Sequence, residues 1–244
     1  PKQKLLLDWI DPSKLFIDHM SYNSNAIDFL RKQIKYENSL TNEEYKELSC
    51  NGKYSFIYHS SKFVIDWEKL SSNPNAIELL TNNQDKIYWG CLSTNKNAIE
   101  LLTNNQDKIN WMWLSSNPNA IELLTNNQDK IDWRNLSANK NAIELLTNNL
   151  DKIDWKHLSA NPNAIEILIN NQDKIDWKTF SANQNDIAID LLKKHQDKIY
   201  WKTFSANQND IAIELLKDNQ DKINWEKLSR NPSIFIHEPM PELL

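Results

Sequence analysis

Apolar and polar positions repeat along most of this chain with a fixed period. Tryptophan recurs every 22 residues from Trp67 to Trp177, and then at steps of 24 residues at Trp201 and Trp225. A typical unit reads Asp-Lys-Ile-Asp-Trp-x-x-Leu-Ser-x-Asn-Pro-Asn-Ala-Ile-Glu-Leu-Leu, with its apolar residues at helical spacing. Such self-similarity is the signature of a repeat array, in which each unit is stabilised by its neighbours.

Two helices are predicted in each unit. In the unit around Trp67, Asn73 followed by Pro74 predicts an N-cap and a first helical position. The apolar spacing that follows predicts a helix of roughly two to three turns. Its predicted end is Asn82-Asn83, because asparagine tolerates the left-handed backbone conformation found at helix C-termini.

The other predicted helix is shorter and begins at the tryptophan, with Asp66 as its N-cap. The cap position holds Asp or Asn in six of the eight tryptophan units, with Tyr88 and Tyr200 as the exceptions. Helices this short are unstable alone, so stacking between units must stabilise them. The residues predicted to be buried are Ile65, Trp67, Leu70, Ala76, Ile77, Leu79 and Leu80.

We therefore predict an all-α fold, an α-solenoid of short helix pairs with about 22–24 residues per repeat that forms an elongated superhelix. The predicted parts are an N-terminal cap with divergent repeats at 1–65, a regular helical-repeat array at 66–227, and a C-terminal capping half-repeat with a tail at 228–244.

The divergent repeats are predicted from alignment with the regular units. Residues 20–27 match 70–77, and residues 45–52 match 67–74 with Tyr45 in place of the tryptophan. The segment 31–45 is the least regular part of the chain, and a catalytic site would be expected at such a break in the regularity. It reads as a charged helix with a connecting loop, and an N-terminal cap is an equally good interpretation.

Composition excludes several classes of function. The chain has only 2 glycines among 244 residues, too few for the Gly-rich phosphate loops of nucleotide enzymes. A net charge of −5 gives no electrostatic reason to expect nucleic acid or an anionic membrane as partner. No apolar run is long enough for a membrane span or a signal peptide, although the sequence begins at Pro1 rather than Met and leaves an upstream targeting segment open. Cys50 and Cys91 show no motif spacing, which favours a reducing compartment over secretion.

The two positions after each tryptophan vary from unit to unit, while the flanking Trp and Leu hardly change. Variable positions in a stack are expected on the surface, where they would form a stripe along one face. Its least charged part is an exposed apolar patch of the kind that marks protein contacts, and neutral variation on a solvated surface is the alternative. The candidate partner-binding residues are Tyr88, Gly90, Cys91, Met112, Trp113, Arg134, Asn135, Lys156, His157, Lys178 and Lys202.

Other regular features are given structural interpretations. The asparagine row that begins at Asn73 is compatible with a ladder of ligands, but helix capping explains it better. The tryptophans are predicted to pack in the core rather than to form a stacking platform for bases or sugars. Trp113 is the exception and is predicted to point outward. The recurrent lysines each follow an aspartate, which argues against a phosphate-tracking groove.

No catalytic or metal-binding motif emerges from the sequence. The five histidines occupy non-equivalent positions and form no nucleophile or metal motif with a cysteine or a carboxylate. We therefore expect a non-enzymatic protein that uses no cofactor, no metal and no small-molecule substrate.

The units resemble the tandem 22-residue repeats found in proteins of giant nucleocytoplasmic DNA viruses, and the resemblance covers nearly all of residues 20–236. The architecture is also similar to leucine-rich variant repeats. The viral resemblance implies a scaffold that binds protein, either a viral coat protein in the virion, as a minor capsid component, or a host factor in the host cytoplasm. The Asn, Lys and Ile bias also agrees with an AT-rich genome.

Overall fold

The computed structural model describes residues 6–8, 10–50 and 64–235, which contain helices and no strand. They belong to two compact units, residues 1–130 and residues 131–244. Both units are built from stacked helical repeats, so the predicted all-α solenoid is confirmed. Residues 51–63 and the tail 236–244 lie outside the described part of the chain.

The bounds of the helices follow the repeat. The first unit contains α1 (Ile17–Met20), α2 (Ile27–Glu37), α3 (Asn42–Cys50), α4 (Trp67–Ser72), α5 (Ile77–Thr81), α6 (Trp89–Thr94), α7 (Ile99–Thr103), α8 (Trp111–Leu114) and α9 (Ile121–Thr125). The second unit contains α10 (Trp133–Ala138), α11 (Ile143–Thr147), α12 (Trp155–Ser159), α13 (Ile165–Ile169), α14 (Trp177–Phe180), α15 (Asp186–Lys194), α16 (Trp201–Phe204), α17 (Asp210–Lys217) and α18 (Trp225–Leu228).

Each regular repeat also contains a 3₁₀ turn that the sequence did not predict. It follows the second helix and leads into the next tryptophan helix. These turns are Gln84–Lys86, Gln106–Lys108, Gln128–Lys130, Leu150–Lys152, Gln172–Lys174, Gln196–Lys198 and Gln220–Lys222. Further 3₁₀ turns are Pro12–Lys14, Pro162–Ala164 and Pro232–Ile234.

The predicted cap of the tryptophan helix is confirmed. The carboxylate of Asp66 accepts a hydrogen bond from the backbone N–H of Lys69 at 3.0 Å. Equivalent caps are made by Asn110, Asp132, Asp154, Asp176 and Asn224. Tyr88 and Tyr200 make no such bond, as a tyrosine side chain cannot reach back to the first turn.

The predicted start of the second helix is wrong, whereas its predicted end at Asn82-Asn83 is correct, because the helix ends at Thr81 with Asn82 as its C-cap. In the repeat of Trp67 this helix begins at Ile77, because Asn73 closes a separate turn by accepting the N–H of Asn75 at 3.1 Å. At the other end Asn82 is right-handed, with φ −83° and ψ −4°, and no described residue has a positive φ. The chain continues into the 3₁₀ turn without reversing, and the side chain of Asn83 donates instead to the carbonyl of Leu79 at 2.8 Å.

Most of the predicted core is confirmed. Leu70, Ala76 and Leu80 are fully buried in the repeat of Trp67, and Ile65 and Leu79 are nearly so. Ile77 is only half-buried. The same pattern recurs in the repeats from Trp89 to Trp201, where the equivalent leucine or phenylalanine, alanine and leucine are at most 2% exposed.

The tryptophans were predicted in the core, and that is wrong. Trp225 is exposed, and the seven from Trp67 to Trp201 are half-buried and carry a lysine on one ring face. The lysine comes from the 3₁₀ turn that follows, and its Nζ lies 4.8–5.6 Å from the ring centroid. Each such cation–π contact contributes about 0.5–1 kcal/mol at a partly exposed site. The pairs are Trp67–Lys86, Trp89–Lys108, Trp111–Lys130, Trp133–Lys152, Trp155–Lys174, Trp177–Lys198 and Trp201–Lys222.

A buried asparagine bonds each repeat to the one before it. The side-chain amide of Asn95 donates to the carbonyls of Ser71 and Asn73, both at 3.0 Å. Its carbonyl oxygen meanwhile accepts the N–H of Asn97, and Asn97 donates to the carbonyl of Pro74 at 2.9 Å. The asparagines at this buried position therefore cap locally, as predicted, and also tie neighbouring repeats together, which was not predicted. Equivalent bonds to a preceding repeat are made by Asn73, Asn117, Asn161, Asn183, Asn207 and Asn231.

A buried serine completes the polar contact between repeats. The hydroxyl of Ser71 donates to the carbonyl of Trp67 at 2.7 Å and accepts the N–H of Tyr88, in the next repeat, at 3.0 Å. The same relay joins Ser93 to Asn110 in the first unit, and Ser159 to Asp176 in the second. Hydrogen bonds and leucine packing thus act at the same interface, which fixes the register between repeats.

The first repeat, which includes residues 20–27, packs directly against the repeat of Trp67. Ser21 accepts the N–H of Asp66 at 3.0 Å, and Asn73 donates to the carbonyl of Ser21 at 3.1 Å, as between regular repeats. The predicted match of residues 20–27 to a regular unit is therefore correct. The predicted second divergent repeat at 45–52 falls partly outside the described residues, which end at Cys50 of α3 in this stretch. In the sequence, residues 38–64 interrupt two repeats that bond to each other directly.

Candidate interaction surface

The two variable positions after each tryptophan differ in exposure. The first is exposed in most repeats, whereas the second is half-buried in every regular repeat except that of Trp111, where Trp113 is exposed. Thr179 illustrates the second position, since its hydroxyl donates to the carbonyl of Lys156 at 3.0 Å. The stripe predicted from sequence therefore consists of an exposed row beside a row that helps to hold the stack.

The aromatic patch, which we define as Tyr88, Met112 and Trp113, belongs to the first unit. These side chains are 54%, 47% and 38% exposed. A Cβ added to Gly90 would lie 3.1 Å from Cζ3 of Trp113, so the indole packs against the bare backbone of Gly90. The prediction that Trp113 points outward is correct. Gly90 serves as the seat of the indole, that is, the backbone surface on which it packs, rather than as a residue that contacts a partner itself.

Cys91 lies beside this patch but is a poor nucleophile. Its thiol is half-buried and 3.9 Å from a carboxylate oxygen of Glu68. Burial, followed by the negative charge of Glu68, raises the pKa of the Cys91 thiol. A thiol held in this form does not supply thiolate chemistry.

The part of the stripe in the second unit is basic and internally bonded. Nε of Arg134 donates to Nε2 of His157 at 3.2 Å, and Nδ1 of His157 lies 2.8 Å from Oδ1 of Asp154. The imidazole of His157 therefore lies between the guanidinium of Arg134 and the carboxylate of Asp154. Burial would raise the pKa of Asp154, but the hydrogen bonds from His157 and the charges of His157 and Arg134 outweigh it and lower the pKa.

The remaining predicted residues of the second unit are on the surface or support it. Lys156, Lys178 and Lys202 are exposed, and Nζ of Lys178 lies 5.1 Å from the ring centroid of Tyr200. Asn135 is half-buried, and its backbone N–H donates to the cap Asp132 at 2.8 Å.

Sequence reasoning missed a cavity of about 660 Å³ in the first unit. It lies where α3 faces the first regular repeat, next to the interruption between repeats. In the sequence, the segment 31–45 is the least regular part of the chain, and that irregularity is the only feature that could have indicated the cavity. The lining residues are Glu37, Asn38, Leu40, Asn42, Tyr45, Trp67, Asp85, Lys86, Ile87 and Tyr88.

Glu37 is the unusual member of this lining, because it is a carboxylate only 5% exposed. Its Oε1 accepts the side-chain amide of Gln33 and the backbone N–H of Ile65, both at 2.9 Å. It thereby caps the chain where residues 64–65 rejoin the array. Burial raises the pKa of Glu37, against the opposing effects of these hydrogen bonds and of Lys86.

Replacing Glu37 with glutamine is expected to remove a pH dependence of stability. Because the folded-state pKa is raised, the contribution of Glu37 is fully present below the unfolded-state pKa and is lost as the pH rises through the folded value. Glutamine keeps the acceptor and carries no charge. At neutral pH we expect the free energy of unfolding of Glu37→Gln to equal or exceed that of the wild type, because the variant no longer buries a charged carboxylate. Urea unfolding across acidic to neutral pH measures this. A free energy of unfolding that rises with pH in the wild type relative to the variant would contradict it.

No known family model matches this sequence, and neither a curated protein nor a solved structure is significantly similar to it. Across the described residues, no helix combines the length and the apolar character needed to cross a membrane. Within residues 6–8, 10–50 and 64–235, no three His, Cys, Asp or Glu side chains converge as a metal site would require.

Proposed function

We propose that this protein is a non-enzymatic helical-repeat scaffold that binds another protein through the aromatic patch. The observation that carries the proposal is the arrangement of Tyr88, Met112 and Trp113, large apolar side chains exposed on a rigid stack. Tryptophan, tyrosine and methionine are enriched in protein interfaces, and tryptophan most often dominates the binding energy. The seat at Gly90 fixes the indole before binding, which lowers the entropy lost on association.

The setting proposed for this scaffold follows from the viral resemblance of its units. In the favoured version it is a minor structural component of the virus particle that contacts a coat protein, because a stack of equivalent repeats suits a lattice of equivalent partners. Quantitative mass spectrometry of purified particles tests this version, and absence of the protein from them would exclude it. In the alternative version the partner is a host protein in the cytoplasm of the infected cell.

Cross-linking mass spectrometry in the native source material separates these two settings. Cross-links from Lys156, Lys178 and Lys202 to a coat protein would support the particle role, whereas cross-links to a host protein would support the alternative. These lysines are exposed, and each occupies the first position after a tryptophan in a repeat of the second unit.

Nucleic-acid binding is the remaining candidate and has weaker support. The lysines that recur after each aspartate lie on tryptophan rings, as Lys108 does on Trp89 at 4.8 Å, and do not form an open basic groove. A filter-binding titration at increasing salt tests this function, because a phosphate-tracking protein loses affinity steeply with salt. No detectable binding at low salt would exclude it.

Truncation of Trp113 tests the patch itself. Once the partner is in hand, we expect Trp113→Ala to weaken its binding by at least about 2 kcal/mol, roughly thirtyfold, as for a typical hot spot. The same change should lower the free energy of unfolding by less than about 1 kcal/mol, because the side chain is 38% exposed. Calorimetric titration and urea unfolding measure the two effects.

The matched position for this experiment is Thr103, which is exposed on α7 of the same unit and outside the stripe. A photo-reactive amino acid at Met112 should cross-link the partner, and the same group at Thr103 should not. Equal cross-linking from both positions, or full binding by Trp113→Ala, would refute the patch as the binding surface.

A further inference from the structure

The cavity beside α3 contains a charged group whose hydrogen-bonding capacity is only half used. Oε1 of Glu37 accepts two hydrogen bonds, from Gln33 and from Ile65. Among the described residues, no N–H or O–H group donates to the other carboxylate oxygen, Oε2. Oε2 is not among the fully buried polar atoms without a partner, so a donor from outside the protein can reach it through the cavity.

Lys86 does not donate to Oε2, although it lines the same cavity. Its Nζ donates to Oδ1 of Asn38 at 2.7 Å and lies 5.1 Å from the ring centroid of Trp67. The ammonium group acts on Glu37 only through its charge. The charged groups of the lining are therefore two carboxylates, Glu37 and Asp85, against one ammonium, which leaves a net negative charge.

Aromatic rings form much of the remaining wall. Tyr45 of α3, Trp67 of α4 and Tyr88 line the cavity together with the amides of Asn38 and Asn42. Burial and the charge of Glu37 raise the pKa of the Tyr45 phenol, so Tyr45 stays neutral close to that carboxylate. Aromatic faces attract cations, and arginine in particular stacks on them while it bonds a carboxylate.

We propose that this cavity binds an organic cation, a guanidinium or ammonium group on an apolar stem, with Glu37 accepting its N–H and the tyrosines packing on its stem and charged face. An anion is disfavoured because the lining carries two carboxylates. A neutral donor of the same shape satisfies the same hydrogen bond but gains neither the charge-assisted bond nor the cation–π contact. A volume of about 660 Å³ is within the range of ligand-binding pockets.

The test is calorimetric titration of the full chain with butylguanidinium and with its neutral isostere butylurea. We expect butylguanidinium to bind at least about tenfold more tightly, since a hydrogen bond to a charged group exceeds a neutral one by roughly 1 kcal/mol or more. Glu37→Gln should remove this preference, because glutamine keeps the shape and loses the charge. Glu100→Gln is the matched control, an exposed glutamate in a regular repeat, and should bind as the wild type does.

Several outcomes would overturn the proposal: no binding of butylguanidinium, equal binding of butylurea, or an undiminished preference in Glu37→Gln. If Glu37→Gln does not fold, Tyr45→Leu takes its place and should weaken butylguanidinium binding by at least about threefold, through the lost cation–π contact. Full binding by Tyr45→Leu would then refute the site.

Two sources could supply such a cation, and the peptide acetyl-Gly-Arg-Gly-amide distinguishes them. If the peptide binds more tightly than butylguanidinium, the cation is an arginine side chain of a protein; weaker peptide binding identifies a free small molecule. The site shares Tyr88 with the proposed protein-binding patch, but Trp113 is not part of the lining. Trp113→Ala should therefore bind butylguanidinium normally, and failure of either proposal leaves the other standing.

Discussion

Asn183→Ala is expected to lower the free energy of unfolding by about 3–4 kcal/mol, because one buried side chain makes three hydrogen bonds. Its amide donates to the carbonyls of Ser159 at 3.0 Å and Asn161 at 3.2 Å, and its oxygen accepts the N–H of Asn185 at 3.0 Å. Alanine leaves these partners buried and unpaired, and that penalty exceeds the net contribution of the bonds themselves. Urea unfolding of the full chain, followed by far-ultraviolet circular dichroism, measures the loss.

Asn183→Asp separates the cap from the contact between repeats. Aspartate is as good a cap as asparagine, so a residue that served only as a cap would tolerate this change. Here aspartate would also place a carboxylate against two carbonyl oxygens, and we expect a loss at least as large as that of alanine. The control is Asn170→Ala at an exposed helix end, which should cost under about 0.5 kcal/mol. A stable Asn183→Asp protein would show that the bonds between repeats contribute little.

Phe180→Ala is expected to cost about 3–5 kcal/mol, the range for truncating a fully buried aromatic residue. Phe180 is inaccessible to solvent, and its ring meets that of Trp177 edge-on at a centroid distance of 5.6 Å and an angle of 83°. Alanine leaves a cavity under the long helix α15, and it also removes the aromatic pair. Thermal and urea unfolding measure the effect.

Phe180→Leu is the matched control, because leucine occupies the same position at Leu136 and Leu158 of the same unit. Leucine should cost under about 1.5 kcal/mol, as a hydrophobic replacement of similar size. The two repeats that carry phenylalanine here are those with the longer helices α15 and α17. If the leucine and alanine variants lose equal stability, the site does not require a large side chain and the packing account is wrong.

The periodicity of the sequence was enough to predict most of the fold. The spacing of leucine and alanine positioned the buried residues correctly, since a short helix has one face that can meet a neighbour. The caps at Asp66 and its equivalents were also predictable, because a cap bond closes within a few residues of the chain. The exposure of Trp113 followed from comparing equivalent positions in different units.

Features that depend on contacts across repeats were not predictable in the same way. The tryptophans looked like core residues because they are large and periodic, yet a lysine from the following turn covers one face of each ring that it contacts. Asn73 and its equivalents looked like simple caps because the local bond satisfies the side-chain oxygen, whereas the amide donates to another repeat.

The sequence by itself determined the repeat, the helices, the buried leucines and the variable row, since all of these follow from spacing within one unit. Only the tertiary structure decided the partners of each polar side chain: the bonds between repeats, the seat of Trp113 on Gly90, and the cavity at Glu37. The physical reason is that a hydrogen bond or ring contact depends on distance in space, and residues 22 or more positions apart meet only after the repeats have stacked.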